Sequence, residues 1–191
     1  MPLNFNSGSG TGSANGYIRY MASTASWVYE GENIDFKAAI FDLQNIRTGW
    51  ALLQANQAPE WTMDETIEVR APKPEGDDWK RGFKVDIYSK AMFGDDTPVV
   101  EFGTSSTGAQ LGIQALYAEW EAAKPEAGTS PVVEFKGGVP TKIGKGSTNV
   151  PTLKILKFMA TPEELGGGIT KVITPKSSPV AVTSDAIDDE F

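Results

Sequence analysis

The sequence predicts a mainly β protein with one principal helix. Alternating apolar runs, a single stretch of helical periodicity and Gly/Pro-rich breaks between them carry that reading. The clearest strand is the run from Trp79 to Lys90, WKRGFKVDIYSK. Side chains alternate across a strand, so Phe83, Val85 and Ile87 form a core stripe. Lys80, Gly82, Lys84, Asp86, Tyr88 and Lys90 take the other face, which is cationic around an aromatic ring. Such a face suits tracking phosphates and stacking bases. An amphipathic edge strand with solubilising lysines is written with the same letters.

The other elements follow in chain order. Residues 1–16 are rich in Gly, Ser and Asn and read as a flexible arm. Tyr17-Ile-Arg-Tyr20 and Trp27-Val-Tyr29 are short aromatic runs that open the ordered sequence. From Ile34 to Leu43 the spacing predicts a strand with Ile34, Phe36, Ala38 and Ile40 on one face and Asp35, Lys37, Ala39 and Phe41 on the other. Asn45–Gly49 reads as a turn and Trp50–Leu53 as the returning strand. Residues 54–78 contain three prolines and Trp61, and Ala71-Pro-Lys-Pro-Glu-Gly-Asp-Asp78 reads as a loop by composition. The letters Pro-Val-Val-Glu-Phe occur at 98–102 and again at 131–135, each a short strand. Between them Ala109, Ile113, Leu116 and Trp120 recur at helical intervals after Thr107-Gly-Ala-Gln110, which has capping-box spacing. Lys124-Pro125 ends that helix. Val139–Asn149 reads as a Gly/Lys hairpin or lid and Thr152–Met159 as the final strand.

Composition narrows the chemistry. The 191 residues include nineteen aromatics, enough for a substantial core, and carry a net charge of −8. With no cysteine, disulfides, thiolate metal sites and cysteine nucleophiles are excluded. With no histidine, the commonest general base and metal ligand are missing as well. Asp77-Asp78 and Asp95-Asp96 sit beside Gly or Pro and read as solvated turns, so no metal or other cofactor is expected. Gly138 and Gly144 are spaced wrongly for a phosphate loop, and Gly146 stands where Ser or Thr should follow Lys145. The chain therefore reads as a binder, not an enzyme. No apolar stretch reaches membrane-span length and no signal-peptide pattern opens the sequence, so a cytosolic location is expected.

Charge is unevenly distributed. Residues 135–162 contain no acid and five lysines, Lys136, Lys142, Lys145, Lys154 and Lys157. Residues 185–191 carry four acidic side chains; without them the chain holds 21 acidic and 17 basic residues, a net of −4. A segment of that composition is expected to be disordered, and Ile187 and Phe191 give it apolar anchors.

Gly82-Phe-Lys-Val-Asp86, the helix between two short strands, the Lys/Gly segment 136–157 and Asp188-Asp-Glu-Phe191 together resemble the phage-type single-stranded DNA-binding proteins of replication and recombination. The resemblance implies an OB-fold, a five-stranded Greek-key barrel with one inserted helix, over residues 17–165. It also implies a linker and acidic tail over 166–191, acting in the cytoplasm of a bacterial host. In that family the tail occupies the DNA groove until DNA displaces it, then recruits replication or recombination proteins. The matching tail residues are Asp185, Ile187, Asp188, Asp189, Glu190 and Phe191. Lys80, Lys84, Lys90, Lys142, Lys145, Lys154 and Lys157 would follow the phosphates, and Tyr88 with Trp50 or Trp79 would stack bases. A homodimer is compatible with this reading. A β-rich virion or assembly protein that packs through Gly/Ser arms fits the acidic balance equally, and a tail-only adaptor lacks only the groove.

Overall fold

The computed structural model describes residues 16–54 and 57–165. The expected linker and acidic tail, and the expected arm apart from Gly16, lie outside these residues. Within them ten strands form one sheet. They are β1 (Tyr17–Met21), β2 (Ser26–Tyr29), β3 (Glu32–Ile34), β4 (Ala38–Phe41) and β5 (Arg47–Leu52), then β6 (Glu60–Met63), β7 (Lys80–Tyr88), β8 (Val99–Thr104), β9 (Thr129–Ile143) and β10 (Gly146–Ala160). Two helices join them, α1 (Lys90–Phe93) and α2 (Thr107–Ala123). The fold is mainly β, as expected, and no described helix is long and apolar enough to cross a membrane.

Strand β7 holds the middle of the sheet because its alternation is unbroken. Phe83, Val85 and Ile87 are all buried, and β7 pairs with β4, β5 and β8. The strand order is β10-β9-β4-β7-β8-β1-β2-β3, with β5 added on β7 and β6 on β5. Every pairing is antiparallel except that of β1 with β8. The sheet is open, in contrast to the five-stranded barrel that was expected. The reason lies in β1, which lies parallel to β8 through Tyr17 opposite Glu101 and Ile18 opposite Phe102. With that position filled, β10 ends as an edge strand. It meets the β1–β2 turn where the Asn149 backbone N–H and Nδ2 donate to the Ala22 carbonyl at 3.2 and 2.7 Å and Nδ2 also reaches the Ser23 carbonyl.

The strand expected from Ile34 to Leu43 is broken. The Phe36 N–H donates to the Ile34 carbonyl at 3.1 Å, a three-residue turn that resets the side-chain parity. Phe36 thereby enters the core with Ala39 and Phe41, and stacks on Trp27 at 4.5 Å between ring centroids. Ile40 faces the other way, into a satellite cluster with Val99 and Leu165. Asn45–Gly49 is not a hairpin turn either. Leu43–Asn45 forms one 3-10 turn, in which Asn45 Nδ2 donates to both Asp42 carboxylate oxygens. The chain then resumes in its former direction, since β4 and β5 both run antiparallel to β7. Strand β6 precedes the loop expected at 71–78, in a stretch for which no element was expected.

Helix α2 has the expected buried stripe, Ala109, Ile113 and Leu116, with Trp120 packed against the core edge. Its expected capping box does not form. Ser106 is the N-cap without a side-chain bond, because Gln110 Nε2 instead donates to the carbonyls of Arg81 and Ser105. Lys124 ends the helix in the left-handed conformation just before Pro125. The helix lies against β10 through two glycines. A Cβ at Gly112 would stand 2.5 Å from Pro151 Cγ and 2.7 Å from its carbonyl oxygen. Gly112→Ala should therefore push α2 off β10 and cost about 1–3 kcal/mol, the usual range for overpacking. The check is urea denaturation, with a lowered midpoint at unchanged slope; an unchanged midpoint would contradict this packing.

Candidate nucleic-acid interface

The face of the β7–β8 pair turned away from the core carries Gly82, Lys84 and Asp86 on β7, and Glu101 and Gly103 on β8. Its two glycines leave bare backbone, and the indole of Trp61 on β6 fills that space. A Cβ at Gly82 would lie 3.0 Å from Trp61 Cη2 and 2.6 Å from the Thr104 carbonyl. One at Gly103 would lie 3.6 Å from Trp61 Cζ2. Lys84 Nζ stands 5.1 Å from the Trp61 ring centroid, a cation–π arrangement.

Lys84 is also bound from below. Its Nζ donates to Glu101 Oε1 at 2.7 Å, and Arg47 Nη2 donates to Glu101 Oε2 at 3.1 Å. Glu101 is buried, with 8% of its surface exposed, and its two cations account for that burial. Beside it the Asp86 carboxyl is pushed above the usual range, chiefly by burial and opposed by Arg47.

Between Trp61 and the β1–β2 hairpin runs a groove of about 550 Å³ lined by Tyr17, Arg19, Val28, Pro59, Trp61 and Lys84. Tyr17 is 68% exposed there. The outward places of Tyr17 and Arg19 follow from the alternation of β1, where Ile18 and Tyr20 point inward. The groove thus has an indole wall, a phenol and a guanidinium opposite, and an ion-paired floor.

The residues named from sequence are dispersed around this groove. Lys80 is exposed at the start of β7, and Lys84 is in the groove but ion-paired. Lys90 has left the strand for α1, where it lies 3.7 Å from Glu164. Tyr88 packs among Ile40, Val99 and Leu165, so one flank of its ring is covered. Trp50 lies on the opposite side of the sheet, since its partner is Arg81 while Gly49 faces Gly82. Its Nε1 donates to the Ala71 carbonyl, and Arg81 and Lys73 sit 5.2 and 5.9 Å from its ring centroid. Trp79 is half-buried against Gly76. Lys142 and Lys145 lie at the tip of the β9–β10 hairpin, whose turn is Gly144-Lys145. Lys154 pairs with Glu119 on α2 at 3.4 Å, and Lys157 is exposed on β10. Trp61, Tyr17, Arg19, Arg47 and Glu101 were not among the expected site residues. For Tyr17 and Arg19 the alternation of one short run was the available signal.

On the other side of β5, a single carboxylate fastens the segment after β6. Asp64 accepts from Arg81 Nη1 and Nη2 at 2.8 and 2.5 Å, from Thr48 Oγ1 and from the Ala71 N–H. These bonds, the Arg81 pair first, hold its carboxyl well below the usual carboxylate range. No protein-family model, curated protein or solved structure matches the chain.

A depressed folded-state value means that Asp64 contributes its stability above the unfolded carboxylate pKa of about 3.9 and loses it as pH falls further. Asp64→Asn should cost about 2 kcal/mol at neutral pH, as expected for charged hydrogen bonds. The gap to wild type should narrow as pH drops below about 4. Thermal melts across pH 2–7 (about five steps would suffice) check this; a gap that does not change with pH would mean that charge plays no part.

Proposed function

We propose that the protein binds single-stranded nucleic acid, DNA in the first instance, without sequence preference. The observation that carries this reading is the Trp61 indole set on bare glycine backbone across a groove from Tyr17 and Arg19. Aromatic platforms accept any base because every base has a π-face, and each stacked base is worth about 1–3 kcal/mol. Arg19, Lys80, Lys142, Lys145 and Lys157 make no ion pair among the described residues. They are free to follow phosphates.

We further read the interrupted strand β4–β5, together with β7, β8, β9 and β10, as an OB-type arrangement with an added N-terminal hairpin. Two features support it. The interrupted strand pairs with both β7 and β9, and α2 connects β8 to β9. In OB-folds the face of strands 2 and 3, with the loops flanking them, takes oligonucleotides. Here that face is β7–β8, and the corresponding loops are the segment carrying Trp61 and the tip carrying Lys145.

In this reading the acidic segment Asp185–Phe191 competes with DNA and then recruits replication or recombination proteins. Four carboxylates beside Ile187 and Phe191 are the motivation.

Titration with oligothymidine at low salt tests the proposal through tryptophan fluorescence. Binding should quench emission, and Trp61→Ala should weaken it about 10- to 100-fold, the value of one stacked base. Removing residues 185–191 should strengthen binding several-fold at low salt and less as salt rises, because screening weakens tail and DNA alike. No binding by the full chain at low salt would overturn the proposal.

A further inference from the structure

We infer that Glu101 occupies the cations of the groove floor, so that bases lie on the floor and phosphates run along its rim. This rests on the nucleic-acid reading above, and it changes which cations count as phosphate contacts. Lys84 is the cation nearest to Trp61, and alone it would be the natural phosphate partner. Its ammonium is already held at 2.7 Å by Glu101, with a side chain only 15% exposed. Arg47 is held by the second oxygen of the same carboxylate at 3.1 Å.

A phosphate taking Lys84 would have to compete with a buried carboxylate for its ammonium. Among the described residues it would leave that carboxylate with Arg47 as its one cation, next to Asp86, whose Oδ1 has no hydrogen-bond partner. Taking a partner from a buried charge is strongly unfavourable, so the phosphate is excluded. A base carries no charge and faces no such penalty. It can lie against the half-exposed Trp61 indole while its phosphate reaches Arg19 or Lys80, both exposed. Glu101 is thus a specificity-determining residue: it decides which part of the strand the groove accepts.

Salt dependence reads this directly, since single-strand affinity changes by about 0.7 log units per log unit of salt for each phosphate neutralised. Glu101→Gln frees Lys84 and Arg47, so its slope should steepen by about 0.7–1.4 and its low-salt affinity for oligothymidine should rise. Adding Lys84→Gln to that variant should return about 0.7 of the slope. Lys84→Gln alone should weaken binding while keeping the wild-type slope, whereas Arg19→Gln should flatten it by about 0.7. Far-ultraviolet circular dichroism establishes that each variant is folded, and the Lys84→Gln and Arg19→Gln comparison decides the matter even where Glu101→Gln is not. A Glu101→Gln slope equal to wild type, or a Lys84→Gln slope flattened like that of Arg19→Gln, would overturn the inference and leave the binding reading standing. Absence of oligothymidine binding by the wild-type protein would remove both.

Discussion

Trp27 is the constraint around which the fold closes. It is 1% exposed and contacts rings from four separate segments: Tyr20 on β1, Phe36 between β3 and β4, Phe102 on β8 and Phe135 on β9. Three of the four contacts are tilted or edge-to-face, geometries that place the positive ring edge on the negative π-face. Truncating an aromatic ring in a packed core costs about 3–5 kcal/mol, comparable with the whole stability of many domains. Because these segments are distant in sequence, Trp27 unites the N-terminal hairpin with the central strands and the long β9–β10 hairpin. That union is what seats β1 beside β8 and keeps the sheet open.

Packing on the inner side dictates what the outer side presents. Each strand that sends an aromatic inward sends its neighbours outward, so Ile18 and Tyr20 set Tyr17 and Arg19 facing out, and Phe83 and Val85 do the same for Gly82 and Lys84. Gly82 and Gly103 are exceptions in lacking a side chain, and Trp61 uses the vacated backbone. The groove is therefore a by-product of strand alternation plus two glycines, and the cation on its floor is held by Glu101 across the strands.

Much of the fold was legible in local pattern. β7 and the stripe of α2 are long periodic elements defined by their period, whereas the single 15-residue strands β9 and β10 were visible only as the separate pieces 131–135, 139–149 and 152–159. The breaks were not legible, because they depend on partners elsewhere in the chain. Phe36 looks like one more alternating residue until the turn at Asp35 and the Trp27 stack reassign it. The site was legible only in part. Sequence grouped lysines by proximity along the chain, and of those Lys80, Lys142 and Lys145 are exposed. It could not see that Glu101, seventeen residues from Lys84, sits against it across a strand pair, or that Trp50 faces away from that groove while Trp61 faces into it. Pairing register carries that information, and register is set by the whole sheet.

The most direct measurement is an oligothymidine titration followed by amide and indole nuclear magnetic resonance shifts. Binding in the groove should move the Trp61 indole N–H and the amides of Tyr17, Arg19, Gly82 and Gly103, while the Trp27 indole N–H stays in place. Shifts confined instead to the opposite groove, around Ile67, Gln114 and Tyr117 between α2 and the segment after β6, would contradict it.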